Sequence, residues 1–242
     1  MIATVFDAIE GLAVCMIRPG VALSLLPFGS SGPLGKALRI PLVLTFAALA
    51  GCAAPPPDLL HTVVIEVLIG IALGLALSVV FHVAATAGAL LNQQAGYTIG
   101  AVYDPGFSEE ASVFQTLFTQ FAALTFFSGE GLKAVAGLFA DSWALWPPGR
   151  AQGGVDRAVQ MLATDRIAWA FAEGLRLAAP LLVLLILVDI SLGLTARHAK
   201  RLNPFATARP LKVMLLSLAA AAATPAIVSH LLHVAATAAV LG

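Results

Sequence analysis

Six stretches of almost uninterrupted apolar residues, 8–28, 38–54, 62–91, 111–139, 168–195 and 211–240, leave this chain few ways to fold. A helix that crosses a bilayer needs about 20 apolar residues at about 1.5 Å of rise each. The third stretch exceeds that length on its own. Apolar residues make up 60% of the 242-residue chain and charged residues 11%. A soluble domain carries about 25% charged residues, so this chain has too little charge to cover a water-facing surface. The pattern predicts an all-α, polytopic membrane protein of about six hydrophobic helical segments, read as one domain over 1–242. The zero formal charge gives no reason to expect nucleic acid as a partner.

Some segments are too short or too polar to stand alone in lipid. In the second, Ile40 to Ala54 is bounded by Arg39 and by Pro55-Pro56-Pro57. The fifth is interrupted by Glu173 and Arg176 and carries Pro180 inside it, and the fourth holds Glu130 and Lys133 between glycines, so it reads as two pieces. Such helices are shielded by other protein, within one chain or across subunits. In the third stretch Glu66, Gly70, Gly74, Ser78 and His82 recur every four residues as one small and polar stripe. Gly70 and Gly74 form a GxxxG that lets another backbone approach closely; packing within the chain and contact with a partner subunit both fit. The alanine-rich last stretch, with Ser217, Thr224 and Pro225, also fits tight packing. If six segments alternate, the loops after the first, third and fifth carry Lys36, Arg39, Arg197, Lys200, Arg201, Arg209 and Lys212, against Arg150, Arg157 and Arg166 opposite. The positive-inside rule then puts both termini outside.

Catalytic patterns are missing from the sequence. Asp7 and Glu10 precede the first positive charge, Arg18, unlike the basic start of a cleaved signal, so the first stretch is expected to stay in the mature protein. Cys15 and Cys52 sit in apolar runs with no CxxC; they are expected to act as small buried hydrophobes rather than as a disulfide or metal pair. His230 and His233 share a helical face, but no carboxylate or cysteine lies near them in sequence, which favours an interface over a metal site. Gly29-Ser30-Ser31-Gly32 lacks the lysine and strand context of a phosphate loop.

Two features remain. Gln93 to Phe107 is glycine-rich and uncharged until Asp104, with Tyr97, Tyr103 and Phe107 along it and a turn at Asp104-Pro105-Gly106. An apolar loop in a membrane protein is buried in protein or lines a cavity, unless it is a plain interhelical turn. Asp189, Gly193 and Arg197 share a face near the end of the fifth segment. Asp189 and Arg197 lie about 12 Å apart along the axis, too far to pair. Each needs a partner elsewhere, and Lys212 is the candidate for Asp189; the alternative is that the three sit at headgroup level, where Arg197 and Lys212 snorkel.

These residues resemble the FliR/SctT family of flagellar and virulence type III export gates. The resemblance runs through most of the chain. It begins with Arg18, Pro27, Pro33 and Arg39, and continues with Glu66, Gly70 and Gly74. A middle block follows from Ala87-Gly88 through Gln94, Gly96, Asp104-Pro105, Phe127, Gly129, Ser142, Pro147 and Gly149. The closing block is Ala179-Pro180, Asp189, Leu192-Gly193-Leu194, Arg197, Leu202-Asn203, Phe205, Pro210 and Lys212. The chain departs from the family pattern at Gly129-Glu130-Gly131, at Ala199-Lys200-Arg201 and at Pro204.

The resemblance implies a pore-forming structural subunit, without enzymatic activity or cofactor, in the bacterial inner membrane. It implies assembly with SctR/FliP-like, SctS/FliQ-like and SctU/FlhB-like subunits to pass unfolded protein substrates, more in keeping with the virulence branch. Tyr103, Asp104, Pro105, Gly106 and Phe107 would then contribute to a pore plug. Glu66, Asp189, Arg197 and Lys212 would form an inter-subunit charge network, and Gly70, Gly74 and Gly193 would pack helices. The competing readings are a small-molecule permease, for which no repeat between halves is found, and an intramembrane enzyme, for which Asp189 is the sole candidate.

Overall fold

A computed structural model describes residues 2–26, 33–51, 58–96, 113–128, 131–147, 164–198 and 204–240. The described residues are helical almost throughout and contain no strand. Among the described residues eight helices follow in order: α1 Ile2–Leu25, α2 Pro33–Leu49, α3 Leu59–Ala95, α4 Val113–Ser128, α5 Gly131–Leu145, α6 Thr164–His198, α7 Pro204–Ala222 and α8 Thr224–Val240. Two of them, α3 over Leu59–Ala95 and α6 over Ala168–Arg197, are long and apolar enough to cross a membrane; α7 and α8, bent by 64° at their junction, make a third span if counted together. The apolar part of α2, Arg39–Leu49, and that of α4, Val113–Phe127, are shorter.

The fourth stretch is indeed two helices, one ending at Ser128 and the next starting at Gly131. Two boundaries differ from the sequence reading. The fifth stretch continues as one 35-residue helix through Pro180, and the sixth, read as a single segment, breaks between Ala222 and Thr224. Proline lacks the N–H of a helical hydrogen bond but fits the first turn of a helix. Pro225 stands in the first turn of α8, next to the bend, whereas Pro180 is exposed midway along an apolar helix that absorbs it. Cys15 also departs from expectation. It is buried, but disulfide-bonded rather than a free thiol; the other cysteine, Cys52, lies outside the described residues.

The chain divides into two compact units. The first comprises Met1–Val79, Phe126–Ile167 and Ala235–Gly242. Here α1 packs on α2 and on α3. A Cβ at Gly70 would lie 2.9 Å from the Arg18 carbonyl oxygen, and one at Gly74 2.8 Å from that of Ala22. The two glycines therefore let the α1 and α3 backbones meet. Phe46 of α2 meets Phe139 of α5 at 5.1 Å between ring centroids, and Phe139 stacks on Trp143 at 5.7 Å. The second unit comprises Val80–Thr125 and Ala168–Val234. Its closest approach is α3 on α4, where a Cβ at Gly88 would lie 2.5 Å from both Gln115 Cα and the Phe114 oxygen. Gly174 of α6 abuts Val83 and Thr86 of α3 in the same way.

Candidate functional site

Arg18 and Glu66 are the most deeply buried charges described, both 0% exposed. Their pairing is bidentate: Arg18 Nε donates to Glu66 Oε2 and Nη2 to Oε1, each at 2.8 Å. Nη1 donates to Ser142 Oγ at 2.7 Å, and Nη2 also reaches the Trp146 carbonyl at 3.0 Å. Trp146 follows the last residue of α5, so the guanidinium satisfies a carbonyl that helix termination leaves free and places positive charge at the negative end of the helix dipole. One side chain of α1 thereby holds α3 and the end of α5. Glu66, expected from the resemblance in an inter-subunit network, has its counter-charge inside this chain.

A second polar node lies in the other unit. Lys212 Nζ of α7 sits 2.5 Å from Asp189 Oδ1 of α6, the pair that the sequence nominated. Gln94 of α3 completes it: its Nε2 donates to Asp189 Oδ2 at 3.1 Å, and its carbonyl accepts from Lys212 at 3.2 Å. That carbonyl belongs to the last turn of α3, again a free helix-end acceptor. Two residues on, Gly96 adopts φ +86 and donates to the Gln93 carbonyl at 3.1 Å, a left-handed helix stop that suits glycine. Asn92 on the same turn accepts the Phe114 N–H at 3.0 Å, satisfying a free donor in the first turn of α4. The segment between α3 and α4 thus leaves and returns at fixed points. Its predicted plug residues, Tyr103, Asp104, Pro105, Gly106 and Phe107, lie outside the described residues.

The remaining predicted residues separate. Arg197 is exposed, and Gly193 has nothing within 4 Å of a built Cβ; neither is gathered into a node. Among the described residues no group of three or more His, Cys, Asp or Glu is placed to hold a metal ion.

The family model for bacterial export proteins, family 1, matches residues 9–238, nearly the whole chain and every element above. This chain belongs to the bacterial export proteins of family 1. Within the family it is similar to the secretion system apparatus protein SsaT of Salmonella typhimurium, at 31% identity over 91% of this chain and 89% of that one. The flagellar biosynthetic protein FliR of Escherichia coli K12 is 26% identical over 81% of this chain and 77% of its own. The Yop proteins translocation protein T of Yersinia pestis is 27% identical over 63% and 59% respectively. The FliR/SctT resemblance therefore holds.

Three contributors in this export-family chain escaped the sequence reading as site residues. Ser142 stood only among the residues that carry the resemblance, a hydroxyl in an apolar helix with no role assigned to it. Asn92 and Gln94 had one: consecutive amides at the end of a long apolar helix need partners there. Arg18 and Glu66 both stood among the residues that carry the resemblance, but their pairing is signalled only by opposite charges in different apolar stretches.

Proposed function

We propose that this chain is a structural, pore-forming subunit of a type III protein-export gate, a multi-pass protein of the bacterial inner membrane. It assembles with SctR/FliP-like, SctS/FliQ-like and SctU/FlhB-like subunits and passes unfolded protein substrates. The observation that carries the reading is the family match over residues 9–238. Relatives named for secretion and for flagellar biosynthesis support it. The architecture is in keeping with it. Half of the apolar window of α3 is buried within the chain, against 22% for α6, which leaves α6 with a long apolar face for lipid or partner subunits. Gly193 and Arg197 stand on the exposed surface of that helix and are the residues best placed to meet a partner. Asp189 and Lys212 act there as one neutral unit, and the segment rooted by Asn92 and Gln94 carries the plug.

The experiment is removal of the chain from the bacterium that makes it, followed by plasmid rescue. Secretion of every substrate of the system stops and returns on rescue, while uptake of small solutes is unchanged. Continued secretion without the chain would remove the proposal.

A further inference from the structure

The exposed face of α6 changes character towards its C-terminal end. Val183, Ile186, Leu187, Ile190 and Leu194 are all exposed, and at 3.6 residues per turn they fall on one side of the helix. From Val183 to Leu194 the stripe runs about 16 Å along the axis, about half of the ~30 Å hydrocarbon core of a bilayer. It is one leaflet deep. Arg197 stands on the same side, one turn beyond Leu194. It is exposed and makes no hydrogen bond or ion pair among the described residues. Gly193, one turn before it, has nothing within 4 Å of a built Cβ, so the surface beside Arg197 is open.

Charge around this end is one-sided. No acidic residue follows Asp189 in the sequence, whereas Arg197, Lys200, Arg201, Arg209 and Lys212 do. Lys212 is the one that Asp189 takes. Arg209 is exposed on α7, one turn before Lys212, and Lys200 and Arg201 lie outside the described residues. Nearer the other end of the α6 span, by contrast, the exposed Arg176 has Glu173 as its counter-charge.

We propose that the C-terminal end of α6 binds a phospholipid of net negative headgroup charge. Its acyl chain lies along the stripe from Val183 to Leu194, and its phosphate sits on Arg197. A guanidinium takes a phosphate through two parallel charge-assisted hydrogen bonds, and a cluster of Lys and Arg at the end of a membrane helix draws anionic lipid. A zwitterionic headgroup brings its own cation and gains less from the same cluster. A protein covering this face would have to supply a carboxylate one leaflet's depth from an apolar surface. An anionic phospholipid carries both parts at that spacing in one molecule. The inference rests on α6 crossing a bilayer and not on the export-gate reading.

The test uses the full chain in mild detergent with whatever subunits accompany it. The detergent is doped with photoactivatable phosphatidylglycerol or phosphatidylcholine bearing the same reactive acyl chain, and labelling of the α6 peptide is read by mass spectrometry. In the wild type, phosphatidylglycerol labels α6 more strongly than phosphatidylcholine. Arg197→Gln lowers the phosphatidylglycerol label about fivefold, the weight of one basic residue at an anionic surface, and Arg197→Lys restores most of it. Equal labelling by the two lipids in the wild type overturns the proposal, as does a phosphatidylglycerol label that Arg197→Gln leaves unchanged. A wild-type α6 that neither lipid labels overturns it too, and assigns the face to a protein. Should Arg197→Gln fail to assemble, competition in the wild type decides: excess unlabelled phosphatidylglycerol erases the label and phosphatidylcholine does not, whereas equal competition overturns the proposal.

Discussion

At the scale of single residues, the chain keeps its charges inside the helices only where they are answered. Breaking a buried ion pair by removing one partner costs about 3–5 kcal/mol, whereas replacing both with apolar side chains is often neutral. Arg18→Met is therefore expected to leave the Glu66 carboxylate stranded and the chain degraded. Arg18→Met with Glu66→Leu should recover much of the loss, measured as the amount of full-length, trypsin-resistant chain in membranes. A double variant as depleted as the single one would show that the pair does something other than neutralise itself. Asp189 is less buried, with a side chain 40% exposed, so its weight is in geometry rather than in energy. Asp189→Asn removes the counter-charge of Lys212 and loosens the α6–α7 junction with Gln94. Secretion should fall, and exchanging the two charges should restore part of it. Wild-type secretion in Asp189→Asn would strip this node of its role.

At the scale of elements, close backbone approach separates the glycines. An added methyl at Gly88 meets the α4 backbone at 2.5 Å, whereas Gly193 has open space around it. Gly88→Ala should push α4 away from α3 and sharply lower trypsin resistance, while Gly193→Ala leaves the folded chain intact. Equal resistance in the two variants would contradict the packing described here. The segment rooted at Asn92 and Gln94 calls for a different assay. Deleting Tyr103 to Phe107 should leak ions through otherwise assembled membranes, and a tight membrane would count against the plug. Legibility in the sequence also varied by element. Long apolar runs located the described helices, although the sixth run holds two, and the charge between glycines after Phe127 led to the fourth run being read as two pieces. Pro180 and Pro225 look alike in sequence, yet one is absorbed and the other stands at a 64° bend; their surroundings in the fold decide that. Arg18 and Glu66 lie 48 positions apart, so no helical period connects them. The Asp189–Lys212 pair was readable because the two flank a single helical turn-around.

At the scale of the molecule, among the described residues two helices are long and apolar enough to cross a membrane, and a bent pair makes a third span if counted together. The other helices, α1, α2, α4 and α5, are shorter or carry charge, as the sequence suggested for its second and fourth segments. Much of the apolar face of α6 lies outside the chain's own core. A protein built this way gains from neighbours, which is the central claim of the export-gate reading. Its most direct test is affinity purification of a tagged chain from its native membrane in mild detergent, with the co-eluting proteins identified by mass. The account predicts SctR/FliP-like and SctS/FliQ-like subunits in fixed ratio, and degradation of the chain when it is made without them. A stable monomer that moves a small solute in liposomes would contradict it.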